Sequence, residues 1–475
     1  MKELTEMSKV FQIPIEKFEN DMNTELSKEK KKEILELFTT YNKIRSEEEF
    51  NDIEYDLHEA CKEGDLEMLK IFLSEKIEDS TCILTFKIDE TNQTASVFEV
   101  ERDFKEVYIP RTVKHECTEY LITSIIGICC NTKTVKFCED SAVKTFYKSA
   151  FSCSNVEEIY FPSSLKELKE GWCCETKNLK KIIISPLNGQ FEFKEDKYLF
   201  CKSEPNKDEF DELLFVRRDI EEFSIPSNIK IISSYSFHYS KIKSICIPPK
   251  VSKICNSAFS DCYNLLKVEI PNNSNLQTIE SFAFSHCKIE SIFIPSNVSK
   301  ICNSAFSDCC NLLKVEIPKN SNLQTIESFA FCYSKIEEIY FPSSLKKLKD
   351  GWCKGTNYLK KIIISPSNGQ YEYKENKYLI CKSELSKDEF DELLFVRRAI
   401  EEFSIPSNIK IISSYSFHFS KIKSICIPSK VSKICNHAFS ECRNLQIIEI
   451  SEESKLKLFP LPAFKSSQQV IKKID

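Results

Sequence analysis

Apolar and polar residues alternate along this chain in short phrases rather than in long amphipathic stretches. A phrase of the form apolar-x-x-apolar-x-apolar-Pro recurs, as in LLKVEIP at 265–271. Its first apolar residue falls at Phe104, a degenerate Thr132, Val156, Leu179, Ile220, Ile242, Leu265, Ile289, Leu312, Ile336, Leu359, Ile400, Ile422 and Leu445. This makes about fourteen units of roughly 23 residues, two of them carrying an insert of roughly 18. Period two within each phrase predicts a half-buried strand, with Val268 and Ile270 inward and Lys267 and Glu269 outward. Pro271 has no amide hydrogen to give and ends the strand. A second apolar stretch follows each strand, as in VSKICNSAF, which offers Val251, Ile254, Ala258 and Phe259.

One such unit is too small to bury its own apolar face. Stacking solves this, and predicts a long parallel sheet with like residues in ladders. The expected phenylalanine ladder runs through Phe151, Phe237, Phe259, Phe284, Phe306, Phe331, Phe417, Phe439 and Phe464, with Trp172 and Trp352 taking the same place in two units. A larger duplication is superimposed. VEEIYFPSSLKELKEGWC at 156 returns as IEEIYFPSSLKKLKDGWC at 336, and the inserts are copied with it.

NLLKVEIPNNSNLQTIESFAFSHC and KIESIFIPSNVSKICNSAFSDCCNL resemble the repeat unit of the BspA-like leucine-rich repeat family, over roughly residues 100–465. That family is abundant among predicted surface proteins of parasitic protozoa and some bacteria. The resemblance implies a β-rich solenoid of parallel strands, occupying 131–465. Two β-hairpin inserts are expected, near 188–218 and 368–398. It also implies a surface antigen or adhesin that binds host or matrix proteins. Residues 81–130 read as a capping hairpin and first repeat, and 466–475 as a tail. Residues 1–80 differ: KEKKKEILELF has helical spacing, and LHEACKEGDLEMLKIFLSEK resembles one ankyrin helix–turn–helix. A small α-helical module, partly ankyrin-like, is expected there.

Composition narrows the chemistry. A net charge of −6 offers no basic surplus for a phosphate backbone, so nucleic acid is not expected as a partner. The seven glycines are scattered, which argues against a phosphate-cradling loop. The longest apolar run, Leu121 to Cys130, is about half of what a membrane helix needs. No secretory signal or anchor is visible, so composition points to the cytoplasm and resemblance to the cell surface.

The 23 cysteines form no C-x2-C pair. Cys255, Cys302 and Cys435 share one repeat position, and Cys153, Cys262, Cys287, Cys309 and Cys442 share another, with Cys332 one step off. Duplicated positions favour buried packing thiols over redox-sensitive thiols or metal ligands. His286 beside Cys287 is no catalytic dyad, because adjacent strand residues point to opposite faces. The insert tips, Asp208, Glu209, Asp211 and Glu212 with their copies Asp388, Glu389, Asp391 and Glu392, lack the glycine turn of a calcium loop and read as solvated.

No catalytic, cofactor or metal residues are therefore expected, and the chain reads as a non-enzymatic interaction protein. The outward strand positions should line the binding face, with Tyr160, Phe293 and Tyr340 as aromatic anchors beside Glu158 and Glu338. An intracellular scaffold of the same fold is the alternative, and a thiol-redox or metal-binding protein a third.

Overall fold

The structure is a computed structural model. It describes residues 84–474, apart from 101–104, 129–130, 205, 207, 452, 455, 457–462 and 464–469. The helical and ankyrin-like segment read from residues 1–80 lies outside the described residues, as does Phe464.

The described chain is a β-solenoid with no α-helix among the described residues. Each layer begins with a strand on which the alternating pattern is realised. In Lys267–Glu269 the outer residues are exposed and Val268 is buried. The proline that follows closes the corner: in Pro248–Val251 and Pro295–Val298 the proline carbonyl accepts the amide three residues on. Strands of successive layers pair in parallel and in register, as Glu338–Phe341 does with Lys361–Ile364.

Two features depart from the single long sheet expected. The second apolar stretch of each layer is itself a strand, only two residues long, such as Lys253–Ile254 or Thr278–Ile279. These short strands stack into a second parallel sheet. The sheets are also interrupted, because each insert enters the stack. The first insert forms the strands Phe191–Lys194, Tyr198–Cys201 and Glu212–Val216, paired antiparallel. The last of these pairs in parallel with Ile231–Ile232 and so restarts the short-strand sheet.

The inserts are partitions, not surface hairpins. Every residue of Tyr198–Cys201 is buried, a run that only a strand covered on both faces can carry. In the second insert Tyr371, Leu379, Cys381 and Phe395 join the core on one side. Ile380, Leu393 and Val396 join the core on the other. One aspartate of each acidic segment is drawn in with them, contrary to the fully solvated tip expected. Asp211 and Asp391 are buried, whereas Asp208 and Glu209 stay exposed. Asp211 accepts from the Ser203 amide at 3.0 Å and from Lys230 Nζ of the next layer at 3.0 Å.

The phenylalanine ladder forms. Phe237, Phe259, Phe284, Phe306 and Phe331 stack with ring centroids 4.6, 5.0, 5.3 and 5.5 Å apart. Trp172 and Trp352 are not in that column. Phe151 and Phe331 donate their amides to the Trp172 and Trp352 carbonyls, just as Phe259 donates to Ala283. Tryptophan therefore holds the alanine position, and Cys173 and Cys353 the phenylalanine position. Ala-Phe has become Trp-Cys, an exchange that moves the bulk by one residue while filling the core.

Candidate functional site

On the strand face, register decides which of the expected anchors meet. Phe293 pairs with Glu316, and Lys314 with Glu338, so that Phe293, Glu316 and Tyr340 stand in one column across three layers. Ile363 continues it. Phe293, Glu316 and Tyr340, with Leu313, Ile317 and Pro318, line an open hollow of about 740 Å³. Phe293 and Tyr340 are half-buried, and Glu338 is exposed. The acids are tied down by lysines, Glu316 by Lys314 at 2.7 Å and Glu338 by Lys361 at 3.2 Å. The structure does not bring Tyr160 and Glu158 to this hollow. They lie on Glu158–Phe161, in a separate four-stranded sheet, where Lys181 pairs with Glu158 at 3.2 Å. Lys136 Nζ sits 5.5 Å from the Tyr160 ring centroid.

Four of the thiols repeat one buried contact. Cys262, Cys287, Cys309 and Cys442 each direct their sulfur to the phenylalanine carbonyl of the layer before, at 2.9–3.1 Å. In the Trp-Cys layers Thr356 makes the equivalent bond to Phe331. Cys153 does not belong to this column, contrary to the reading from spacing. It lies two residues after its phenylalanine rather than three, and is exposed. Burial pushes the Cys255 thiol up to about 12 and the Cys302 thiol up to about 11. Cys287 is buried while His286 is exposed.

A second face was missed from sequence. In each turn around the phenylalanine ladder two residues adopt the left-handed conformation. One column runs Ser149, Gly171, Tyr235, Ser257, Phe282, Ser304, Phe329, Gly351, Tyr415 and His437. The other runs Cys153, Glu175, Tyr239, Asp261, His286, Asp308, Tyr333, Gly355, Phe419 and Glu441. The alternation of left-handed and other residues turns successive amides one way, so Ser257, Phe259 and Asp261 all donate to the next layer, at 2.9, 2.8 and 2.9 Å. From Tyr235 to Tyr415 the first column alternates aromatic with small residues.

Aromatic rings form ridges there, and the small residues lie in slots between them. Gly351 shows how tight a slot is: at φ +65°, an added Cβ would lie 2.7 Å from the Phe329 ring and 2.9 Å from that of Tyr415. Lys354 Nζ reaches over this slot, 5.7 Å from the Phe329 centroid and 5.0 Å from that of Tyr415. Beside it an open hollow of about 480 Å³ is lined by Ser257, Asp261, Phe282, Ser304, Asp308 and Phe329, among others. Asp261 is fixed by Tyr263 at 2.6 Å, Ser260 at 2.8 Å and His238 at 3.2 Å. Although partial burial opposes it, these hydrogen bonds hold the Asp261 carboxyl below the usual carboxylate range. The sequence signal for this face was the alternation of residues immediately before Ala-Phe and Ser-Phe, which carries no hydrophobic period.

The BspA type leucine rich repeat region (6 copies) matches residues 94–204, 208–276, 264–377 and 388–474. No curated protein matches. Among solved structures, the pneumococcal vaccine antigen PcpA is similar at 18% identity and a TM-score of 0.45, covering 60% of this chain and 88% of that one. A leucine-rich cell surface protein from Faecalibacterium prausnitzii A2-165 has 17% identity and a TM-score of 0.34, covering 83% and 96%. A leucine-rich repeat protein from Bacteroides ovatus has 19% identity and a TM-score of 0.35, covering 82% and 98%. With a strand, a proline corner, a short second strand and a buried phenylalanine in layer after layer, the chain belongs to the BspA type leucine-rich repeat family.

Proposed function

We propose that the chain acts by binding, as a non-enzymatic protein–protein interaction module whose strand face takes up a protein partner. The observation that carries this is the column of Phe293, Glu316 and Tyr340 beside Glu338, an open hollow with aromatic anchors in a charged surround. Its openness suits a protein surface better than a small molecule, which is usually enclosed on most sides. Tyr160 and Glu158 form a second, separate contact point on the same kind of face. Family membership supports a surface antigen or adhesin, with host or matrix proteins as partners. A scaffold inside the cell is the second reading, favoured by the free thiols, among them buried Cys262, Cys287 and Cys309.

Two experiments test this. Partner capture by the full chain is compared with that by a Phe293→Ser/Tyr340→Ser/Glu338→Lys variant and, separately, by Tyr160→Ser. Loss of capture at an unchanged melting temperature supports the strand face, and undiminished capture by both variants removes it. Labelling intact cells with a non-permeant reagent separates the two locations.

A further inference from the structure

The turn face carries a second binding surface, and it stands independently of the strand face. We propose that its slots take up the cationic side chains of an extended peptide bearing arginine or lysine at every third residue. The partner is identified by that spacing and that charge.

The backbone supplies the first argument. A bulky residue in the left-handed region is strained, and glycine or asparagine would occupy it at less cost. The two columns nevertheless hold Tyr235, Tyr239, Phe282, Phe329, Tyr333, Tyr415 and Phe419 there. Core packing does not demand these rings, because they project from the turn face; Phe282 is 40% exposed and Tyr333 is 39% exposed. Side chains retained on an outer face against backbone preference are there for what they touch.

The molecule shows which chemistry the slots accept. The slot at Gly351 is filled by the chain's own Lys354, whose ammonium lies 5.0–5.7 Å from Phe329, Tyr333 and Tyr415. Lys177 likewise covers Tyr239 at 4.3 Å. These are cation–π contacts, in which the negative face of each ring attracts the charge. The slot over Ser257 lies between Tyr235 and Phe282 and that over Ser304 between Phe282 and Phe329, and both serines line the open hollow. Each has an acid at its side, Asp261 and Asp308 respectively. Asp308 is half-buried and has no ion-pair partner among the described residues. Aromatic walls with a carboxylate at the side fit a guanidinium, which stacks on rings while donating to oxygen.

Spacing selects the peptide. The two open slots are two layers apart; across the same interval Phe259, Phe284 and Phe306 are separated by 5.0 and then 5.3 Å, so the slots lie about 10 Å apart. Side chains two residues apart on a β-strand are separated by only ~6.8 Å. Three residues of polyproline II rise ~9.3 Å and return to the same side. A peptide in that conformation places one cation in each slot.

The test is fluorescence anisotropy with the full chain and a labelled peptide of four Pro-Pro-Arg repeats, against Pro-Pro-Glu repeats and a peptide with arginine at every second position. Binding is expected for Pro-Pro-Arg only, and should weaken as salt is raised. Asp308→Asn should cost at least tenfold in affinity, as should Phe282→Asn. Because asparagine tolerates the left-handed region, Phe282→Asn should keep or raise the melting temperature, which separates lost binding from lost folding. Glu338→Gln on the strand face should leave affinity unchanged. Absence of Pro-Pro-Arg binding, equal binding of the second-position peptide, or affinity indifferent to Asp308 and Phe282 overturns the proposal. So does slot-dependent capture of a neutral oligosaccharide that displaces the peptide, since it would assign the rings to sugar stacking.

Discussion

The Cys262 thiol donates to the carbonyl oxygen of Phe237, one layer back, at 3.0 Å. That carbonyl already accepts the Ser240 amide of its own turn at 2.8 Å. The sulfur therefore satisfies a second lone pair in a place water cannot reach. Cys287, Cys309 and Cys442 repeat the arrangement, and Thr356 shows that a hydroxyl serves as well.

Thiol reactivity should follow this geometry. In the native protein, Cys246, Cys310 and Cys426 are exposed and should react promptly with a thiol reagent. Cys262, Cys287 and Cys309 should react only after unfolding, because reagent cannot reach them and burial disfavours the Cys287 thiolate. Mass spectrometry of briefly labelled protein checks this; Cys262 modified as fast as Cys246 would contradict a packing role. Cys262→Ser keeps a donor and should cost no more than about 1.5 kcal/mol.

Phe284 is fully buried and stacked on Phe259 and Phe306 with rings within 4° of parallel. Phe284→Ala removes the ring from a site whose neighbours are held by their own backbone ladder, so the cavity collapses little. A loss of about 3–5 kcal/mol is expected in denaturant unfolding. In a stack where each layer contacts only its neighbours, hydrogen-exchange protection should fall most in adjacent layers. Uniform loss along the chain would contradict that picture.

Arg218 and Arg398 stand where the Trp-Cys layers have given up a phenylalanine. Each guanidinium is buried and lies 4.7 Å from a phenylalanine ring centroid, Phe215 or Phe395. Arg218 donates to the Ser236 carbonyl at 2.6 Å and to that of Tyr235 at 2.9 Å; Arg398 reaches Ser416 and Tyr415 at 2.6 and 3.2 Å. Neither forms an ion pair with a described residue, so carbonyl dipoles and the face of the phenylalanine ring offset the cost of burying the charge. Arg218→Leu should relieve that cost but strand the carbonyls, for a net loss of about 1–3 kcal/mol. The Arg398→Leu effect should add to it within about 0.5 kcal/mol, since the two sites share no partner. Strong coupling in the double variant would show that the inserts do not act separately.

The strands were legible in the sequence because Val268 and Ile270 alternate with Lys267 and Glu269, and Pro271 marks the end. The phenylalanine column was legible for the same reason, through strict recurrence. Three features were not. The second sheet rests on two-residue strands such as Lys253–Ile254, too short for any period to register. The inward turn of Asp211 depends on the Ser203 amide and Lys230, which only the closed insert brings near. The shift of Trp172 by one position is invisible to alignment by bulk and is fixed by which carbonyl Phe151 addresses. Of the strand-face residues, Phe293, Tyr340 and Glu338 converge because only the layer of Glu316 separates them. Tyr160 and Glu158 share their letters but not their location.

The two copies of the SYSFH turn differ in how their histidine is held, and the His418 copy should respond to acid. His238 faces Asp261 at 3.2 Å. At the duplicate position Glu441 pairs instead with Arg443 at 3.2 Å, and no acid among the described residues holds the ring of His418. Burial, with Arg398, Lys354 and His437 nearby, lowers the His418 pKa to about 3. The unfolded chain binds this proton near pH 6.5 and the folded chain does not, so stability is complete above ~6.5 and declines as pH falls toward 3. The decline should approach about 1.4 kcal/mol per pH unit from this residue alone. Between pH 6.5 and 5, above the range where ordinary carboxylates titrate, stability of His418→Gln measured by denaturant unfolding should therefore fall less steeply than that of the parent. Parallel curves would mean that the ring takes up its proton without leaving the fold.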